Sequence, residues 1–306
     1  MKIIITGASG FIGKNLLLQI PPQDKAVAVY HSSRNFPKFI KNQGPKNIST
    51  FPCDLTNAGE VAALARKAGS KFDACVYLAA NGNPAVSVKD PLFDLRANAF
   101  ALANFLNHIQ AKRFIFFSSG AIYDGCRGRV SPKTALNPKL PYAVSKLAAE
   151  HYVKFYHSKG QIGEYVIVRF FGAYGPYEPQ RKVYTKLIQA FCIEEKNTFT
   201  VHGNGRNFID AMYVDDAVRG ILRMLRGRAK NVTVDFPSGR PLSINDLVKT
   251  AGRIFGKPRV RILHKGTVPE YNRFHVSTKA MKKHFGFTPR IPLEEGLTRF
   301  ADFLGT

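Results

Sequence analysis

The fold is decided at the start of the chain, where residues 2–13 read KIIITGASGFIG. Three consecutive isoleucines predict a buried strand that runs directly into three spaced glycines. Gly7 permits a tight turn, Gly10 lets the backbone approach a pyrophosphate, and Gly13 lets a helix pack closely on the strand. The free N–H groups of that helix then point at the phosphates. This order of elements predicts a dinucleotide site; the alternative is a glycine-rich turn that binds nothing.

Strand-like and helix-like segments alternate through the first half of the chain. This alternation predicts an α/β fold, a doubly wound parallel sheet of the Rossmann type with helices on both faces. Ligands bind beyond the carboxyl ends of the strands in such sheets. The second half is less regular. We expect a dinucleotide-binding Rossmann domain over residues 1–175 and a smaller C-terminal α/β domain over residues 176–306, some of whose elements return to the sheet.

Composition and charge narrow the class of protein. The 306 residues can bury a full core, and the sequence contains no run of 18 apolar residues that would predict a membrane span. No basic and apolar leader precedes the first strand, so we expect a cytoplasmic protein. The 45 basic and 21 acidic residues give a net charge of +24. Because the basic residues are spread along the chain without an RNA-binding motif, we interpret them as a solubilising surface and expect no nucleic-acid partner.

Metal chemistry is not expected either. The four cysteines form no CxxC pair, and the histidines have no metal-ligand spacing with one another or with carboxylates.

A tyrosine and a lysine are placed for acid–base chemistry. Tyr142 and Lys146 are four residues apart in a predicted helix and therefore share one face. A phenol with a pKa of about 10 becomes a useful base when a nearby ammonium stabilises its phenolate. Ser118 and Ser119 end a predicted strand, where a hydroxyl can hold a substrate oxygen. The alternative for these serines is the capping of backbone groups.

Together these motifs resemble the extended short-chain dehydrogenase/reductase superfamily, in particular the NAD-dependent epimerase/dehydratase family that acts on nucleotide sugars. The resemblance covers nearly the whole chain. It is carried by Thr6–Gly13, Asp54-Leu55, Leu78-Ala79-Ala80, Asn98, Ser118–Tyr123, Tyr142 with Lys146, Arg169–Pro176, Tyr213–Asp216 and Gly286–Pro289.

The resemblance implies a mechanism, a set of binding residues and a homodimer. Tyr142 exchanges a hydroxyl proton, Lys146 lowers its pKa and holds the nicotinamide ribose, and Ser119 orients the reacting oxygen. The cofactor-binding residues are expected to be Gly7, Ser9, Gly10, Phe11, Ile12, Gly13, His31, Ser32, Ser33, Arg34, Asp54, Leu55, Leu78, Ala79, Ala80, Asn98, Ser118, Tyr142, Lys146 and Phe170. The C-terminal domain becomes a substrate-binding domain, and the substrate-binding residues are expected to be Asn81, Ser119, Gly120, Tyr142, Gly172, Arg206 and Arg273.

The end of the second strand departs from the pattern of NAD enzymes. These enzymes usually carry a carboxylate there for the ribose 2′-hydroxyl, whereas this chain continues as His31-Ser32-Ser33-Arg34. Ser32, Ser33, Arg34 and Lys38 can hold a 2′-phosphate, so the sequence favours NADP over NAD. The alternative is a solvated polar loop.

Other departures concern the reaction and the substrate. Gly120-Ala121 occupy the places of the Asp-Glu pair of family dehydratases, which disfavours elimination. Gly172 and Ile209 stand where the family usually holds the substrate diphosphate with asparagine and arginine. Replacement cations are expected among Arg181, Lys182, Arg206 and Arg273.

We therefore expect an NAD(P)-dependent enzyme acting by hydride transfer at C4 of a nucleotide sugar, as a 4-epimerase or a 4-ketoreductase, and the sequence leaves these two nearly even. A same-fold oxidoreductase with a non-nucleotide substrate is the first alternative, and a non-catalytic member that binds RNA or another polyanion is the second.

Overall fold

The computed structural model describes residues 1–268 and 273–305, with Arg273 described by its backbone alone. Its strands in chain order are β1 (Lys2–Thr6), β2 (Lys25–Tyr30), β3 (Ile48–Pro52), β4 (Lys71–Tyr77), β5 (Gln110–Ser119), β6 (Arg127–Val130), β7 (Ile162–Phe170), β8 (Ala173–Tyr174), β9 (Thr198–His202), β10 (Phe208–Ile209), β11 (Met212–Tyr213), β12 (Val232–Phe236), β13 (Leu242–Ser243), β14 (Arg261–Lys265) and β15 (Arg273–Val276).

The helices alternate with these strands in the N-terminal half. In chain order they are α1 (Phe11–Leu18), α2 (Phe36–Gln43), α3 (Ala58–Ala68), α4 (Pro84–Lys89), α5 (Pro91–Leu95), α6 (Ala101–His108), α7 (Pro141–Ser158), α8 (Val183–Ile188), α9 (Val214–Arg226), α10 (Ile244–Ile254), α11 (Lys279–Phe285) and α12 (Leu293–Leu304).

A seven-stranded sheet forms the centre of the molecule. Its strand order is β12-β7-β5-β4-β1-β2-β3, and every pairing is parallel. The chain reverses its direction of travel across the sheet between β1 and β4, which is where doubly wound folds bind ligands. The predicted Rossmann-type α/β fold is therefore confirmed.

The isoleucines of β1 explain why this strand is central. Ile3 and Ile5 belong to the apolar core on one face of the sheet, formed with helices α1, α9 and α11. Ile4 belongs to the core on the opposite face, formed with α3, α6 and α7. A strand buried on both faces has a continuous apolar sequence, which is the pattern seen in residues 3–5.

Elements from beyond residue 176 contribute to this central unit. Strand β12 pairs with β7 at the sheet edge, and α9 packs on α1. Helices α8, α10 and α12, with Tyr174 of β8, form a separate apolar core, which includes Leu187, Leu247 and Phe300.

Two helical segments contain a change of helix type. Helices α5 and α6 are joined without a break by a π-helical turn at Arg96–Phe100. Similarly, α8 continues into a π-helical turn at Gln189–Ile193. Within the described part of the chain, no helix has the length and apolar composition of a membrane span.

Candidate active site

A cavity of about 480 Å³ opens at the carboxyl ends of β1, β4, β5 and β7. The turn between β1 and α1 forms part of its wall, and Tyr142 and Lys146 of α7 form another part. Residues from the C-terminal half, including Lys182, Phe208 and Phe274, complete it. The cavity therefore lies between the sheet and the C-terminal elements, where the topology predicts a ligand.

The glycine turn has the geometry that a pyrophosphate requires. Gly7 has a φ of +64°, and a Cβ atom there would lie 2.8 Å from the backbone N of Ala79. A Cβ on Gly13 would lie 2.6 Å from the carbonyl oxygens of Gly7 and Ala8. Both positions therefore exclude a side chain. Glycine at these positions leaves the turn without side chains and lets α1 pack closely on it.

The start of α1 offers free donors to the same cavity. The first N–H groups of any α-helix have no partner within the helix. At Gly10, the N-cap, no side chain caps α1, and Phe11, Ile12 and Gly13 line the cavity. The residues present therefore fit the pyrophosphate of a nicotinamide dinucleotide.

Ser119 and Tyr142 meet inside the cavity. Ser119 is the last residue of β5, and Tyr142 lies in the first turn of α7, which begins at Pro141. Burial raises the pKa of Tyr142, while interaction with the nearby Ser119 hydroxyl opposes that rise and the charge of Asp94 adds to it. The Ser119 oxygen also accepts a bond from the backbone N of Ala121 at 3.1 Å. The two hydroxyls form a polar pair on a largely apolar wall.

Lys146 lies one helical turn beyond Tyr142. Only 3% of the residue is exposed. Its Nζ donates to the carbonyl oxygen of Phe117 and lies 4.5 Å from the centre of the Phe116 ring. Burial lowers its pKa to about 8, and the charges of Glu150 and Asp94 oppose this shift. The pKa of the Lys146 ammonium therefore lies close to neutral pH. That Lys146 lowers the pKa of Tyr142 stays a prediction.

A buried polar network fixes the first turn of α7. Asp94 is fully buried and accepts hydrogen bonds from Asn81 Nδ2 at 2.7 Å, Asn98 Nδ2 at 3.0 Å and Ser145 Oγ at 2.5 Å. Asn98 also accepts from the backbone N of Asn81 at 2.8 Å. The family resemblance predicts that Asn98 binds the cofactor and Asn81 the substrate. In the structure both bond to other residues of the protein, and neither lines the described cavity wall.

A second network lies beneath Ser118. The Ser118 hydroxyl donates to Glu150 at 2.6 Å, and Arg169 binds the same carboxylate through Nε and Nη2. Arg169 Nη1 donates to the Tyr123 hydroxyl, which in turn donates to Asp235. The chain of bonds ties β5, α7, β7 and β12 together directly behind the cavity.

The structure brings many predicted residues to the cavity and leaves others outside it. Those that line it are Gly7, Gly10, Phe11, Ile12, Gly13, Leu78, Ala80, Ser118, Ser119, Gly120, Tyr142, Lys146, Phe170 and Gly172. Those outside its described lining are Ser9, His31, Ser32, Ser33, Arg34, Asp54, Leu55, Ala79, Asn81, Asn98 and Arg206. The side chain of Arg273 lies outside what the structure describes.

Sequence reasoning missed most of the apolar wall. Phe171, Phe274 and Val276 line the cavity, but apolar side chains carry no chemical signal of a site. Gly82 and Pro84 also line it. Their turn-forming sequence after β4 was the one available signal, because ligands lie at such strand ends.

Fold and site together define a dinucleotide-binding α/β protein with a serine, a tyrosine and a lysine at the carboxyl edge of its sheet. The NAD dependent epimerase/dehydratase family model matches residues 3–235, and the chain belongs to that family. The resemblance found in the sequence is confirmed, and with it the class of NAD-dependent enzymes.

Similar proteins extend over the full length of the chain. The UDP-glucuronate 4-epimerase of Thermodesulfobacterium geofontis is 25% identical, covering 97% of this chain and 94% of the relative. A putative UDP-glucose 4-epimerase of Methanocaldococcus jannaschii is 26% identical over 99% and 98% of the two chains. The solved UDP-glucuronic acid 4-epimerase of Bacillus cereus, in complex with UDP-glucuronic acid and NAD, is 25% identical with a TM-score of 0.87, covering 100% of this chain and 99% of that one.

The prediction of NADP is wrong. The B. cereus epimerase is in complex with NAD, and none of the side chains on which the prediction rested lines the described cavity wall. Ser32 and Arg34 are exposed and lie outside the cavity lining. A carboxylate also lies near the end of β2: Asp54, two residues beyond β3, has its Oδ2 3.8 Å from Nε2 of His31. A carboxylate at this point repels a 2′-phosphate.

Proposed function

We propose that this protein is an NAD-dependent 4-epimerase of a nucleotide sugar. The observation that carries the proposal is the Ser119–Tyr142 hydroxyl pair in the same cavity as the glycine turn and Lys146. The names of the relatives and the family membership support this class of substrate. The choice of NAD favours an epimerase over a ketoreductase, because oxidation and re-reduction of one carbon need no external reductant.

The chain's residues have separable tasks in this reaction. NAD supplies hydride transfer at the sugar carbon when bound. The N–H groups at the start of α1 would hold its pyrophosphate, and Lys146 would bind the nicotinamide ribose. Tyr142 takes the proton from the sugar 4-hydroxyl and later returns it, while Ser119 keeps the reacting oxygen within hydrogen-bond reach of Tyr142.

The site disfavours elimination, the other reaction of the family. Among the described lining residues Asp210 is the one carboxylate, and its Oδ1 accepts bonds from Ser238 and the backbone N of Gly239. A Cβ on Gly120 would lie 2.4 Å from the Phe171 ring. An acidic side chain at position 120 would therefore have to displace Phe171.

We also propose a homodimer. The neighbouring helices α5 and α7 and the π-helical turn between α5 and α6 carry exposed apolar side chains, namely Leu92, Leu95, Phe100, Val144, Tyr152 and Phe155. We call this surface the apolar helix face. A patch of this kind on a folded protein is typical of an interface, and a second copy of the chain is the occupant we propose.

Two further proposals concern location and domains. The four cysteines are free, as expected for a protein of the reducing cytoplasm.

The division between a dinucleotide-binding part and a substrate-binding part falls near residue 175, with α9 and β12 belonging to the first part.

Replacement of Tyr142 by phenylalanine tests the function. Loss of a general acid–base group costs about 10²–10⁴-fold in rate, so Tyr142→Phe lowers kcat by that factor with the nucleotide sugar that the wild type converts. Its affinity for NAD, measured by calorimetry, stays within about twofold because the glycine turn is unchanged. Tyr152→Phe, which alters an exposed tyrosine of the same helix, is the control and keeps full activity.

The substrate screen uses UDP-, GDP-, CDP- and dTDP-sugars with NAD, and 4-epimers are detected by chromatography. Conversion of none of them, or full activity in Tyr142→Phe, would contradict the proposed function.

A further inference from the structure

One charged side chain of the cavity has no assigned role. Among the described lining residues the charged ones are Lys146, Lys182 and Asp210. Lys146 belongs to the catalytic group and is bound to Phe117. The Asp210 carboxylate is occupied by Ser238 and by backbone N–H groups. The Lys182 ammonium makes no hydrogen bond or ion pair with the described part of the protein.

The backbone around Lys182 is well fixed although its side chain is exposed. Its N–H donates to the carbonyl oxygen of Pro179 at 2.9 Å, and its carbonyl accepts from the N–H of Lys186 at 3.1 Å. The preceding segment is anchored by Glu178, which accepts bonds from the N–H and hydroxyl of Thr185. A lysine held at this point presents its charge to the cavity without first reorganising the chain.

The surroundings of the Lys182 ammonium suit an anion. Although Lys182 is exposed, the protein atoms around its ammonium displace part of its water and lower its pKa; the nearby charge of Arg181 lowers it further, and Glu178 opposes both effects. A bound phosphate oxygen would relieve this, since an opposite charge favours the charged form of a group. Lysine binds phosphates as a flexible point charge and needs no bidentate geometry.

We propose that Lys182 binds the diphosphate of the nucleotide-sugar substrate. The inference rests on the function proposed above, since a diphosphate is the anion that every substrate of that class carries.

The other candidate cations are less well placed. Arg181 is exposed and lies outside the described cavity lining. Arg206 also lies outside it and has interactions of its own. Gly172 and Ile209 do line the cavity but offer no charge. Lys182 is therefore the described cation that can take over the role expected of the arginine replaced by Ile209.

The test compares Lys182→Met with Lys182→Arg and with Lys186→Met. Lys186 is an exposed lysine of α8 outside the described cavity lining, so its replacement matches the change in charge. Calorimetry first identifies which of UDP, GDP, CDP and dTDP the wild type binds. In Lys182→Met that affinity falls about tenfold or more, as expected for a lost hydrogen bond to a charged group. KM of the matching nucleotide sugar rises by a similar factor and kcat changes little.

Measuring the affinity for NAD distinguishes an effect on the diphosphate of the cofactor from an effect on the diphosphate of the nucleotide sugar. The affinity for NAD stays unchanged in Lys182→Met, Lys182→Arg recovers most of the nucleotide affinity, and Lys186→Met behaves as the wild type. Unchanged nucleoside-diphosphate affinity in Lys182→Met overturns the inference while the proposed function stands, and so does a loss confined to NAD. A wild type that binds none of the four nucleotides overturns both.

Discussion

Gly10 and Gly13 lie one helical turn apart, yet a methyl group meets different surroundings at each. At Gly13 it would lie 2.6 Å from two backbone oxygens, which cannot move without shifting β1 and α1 apart. At Gly10 the nearest atom is a single backbone oxygen at 3.1 Å, and the backbone is extended, a conformation open to alanine. The first glycine is thus required mainly by the ligand and the second by the fold.

Alanine substitutions separate these two requirements. Gly13→Ala lowers the free energy of unfolding by about 1–3 kcal/mol, the usual cost of overpacking. Gly10→Ala changes it by less than about 1 kcal/mol, but weakens NAD at least tenfold because the methyl occupies the surface that the pyrophosphate approaches. Urea unfolding and NAD calorimetry measure both quantities. Equal effects of the two variants on stability would contradict this assignment.

Residues that carry chemistry at fixed spacing were predictable from the sequence. The glycine turn, Ser119, Tyr142 and Lys146 all reach one cavity, as their order and spacing indicated. The cofactor prediction was wrong at the same scale: it rested on the lack of a carboxylate after β2, whereas Asp54, two residues beyond β3, lies 3.8 Å from His31. No local pattern reveals which neighbouring strand supplies a side chain.

At the scale of elements, Glu178 links the segment after β8 to the start of α8. It is 8% exposed, and its carboxylate accepts bonds from the N–H and hydroxyl of Thr185. Burial raises its pKa from 4.5 to about 7 in the folded protein. The protonated form is therefore favoured by folding, and this contribution to stability is lost as the pH rises from about 4.5 to about 7.

Glu178→Gln keeps an acceptor for Thr185 and removes the titration. We expect the variant to have a higher free energy of unfolding than the wild type at pH 8. At pH 5 this advantage is smaller by about 2 kcal/mol, a figure that follows from the shift in the pKa of Glu178 and the free energy of one pKa unit. Urea unfolding at both pH values provides the measurement. Glu294→Gln, an exposed glutamate of α12, is the charge-matched control and shows no such difference. A gain independent of pH would mean that Glu178 is ionised in the folded protein throughout.

The π-helical turn at Arg96–Phe100 is a feature that could not be predicted from the local sequence. The helical segment formed by α5 and α6 widens around Asn98, whose side chain bonds to Asp94 and Ser145. Those partners lie in different elements, so the tertiary contacts and not the local sequence decide the helix type.

Over the whole molecule, the parallel sheet followed from the alternation of strands and helices, whereas the pairing of β6 with β15 did not. That pair joins residues 127–130 to residues 273–276 and brings Phe274 and Val276 to the cavity. Pairing over such a sequence distance leaves no periodic signal in either segment, so the sequence did not indicate that Phe274 and Val276 reach the cavity.

The apolar helix face exposes apolar side chains that the fold of a single chain does not bury. Leu92 is 69% exposed and Phe155 50% exposed, on helices that pack side by side. The wild type should therefore sediment at twice the chain mass of 34.0 kDa. Placing aspartate at both positions buries two charges per copy in that interface, at a cost of several kcal/mol unless they are paired, so Leu92→Asp/Phe155→Asp sediments as a monomer.

The matched control for the dimer is Ile193→Asp, because Ile193 is also exposed and apolar but lies in the C-terminal half, away from α5 and α7. It stays dimeric by sedimentation at micromolar concentrations. A monomeric wild type, or a double variant that remains a dimer, would show that this face does not join two copies. Circular dichroism at equal concentrations checks that the monomeric variant is folded, since its substitutions lie on exposed positions outside both apolar cores of the sheet.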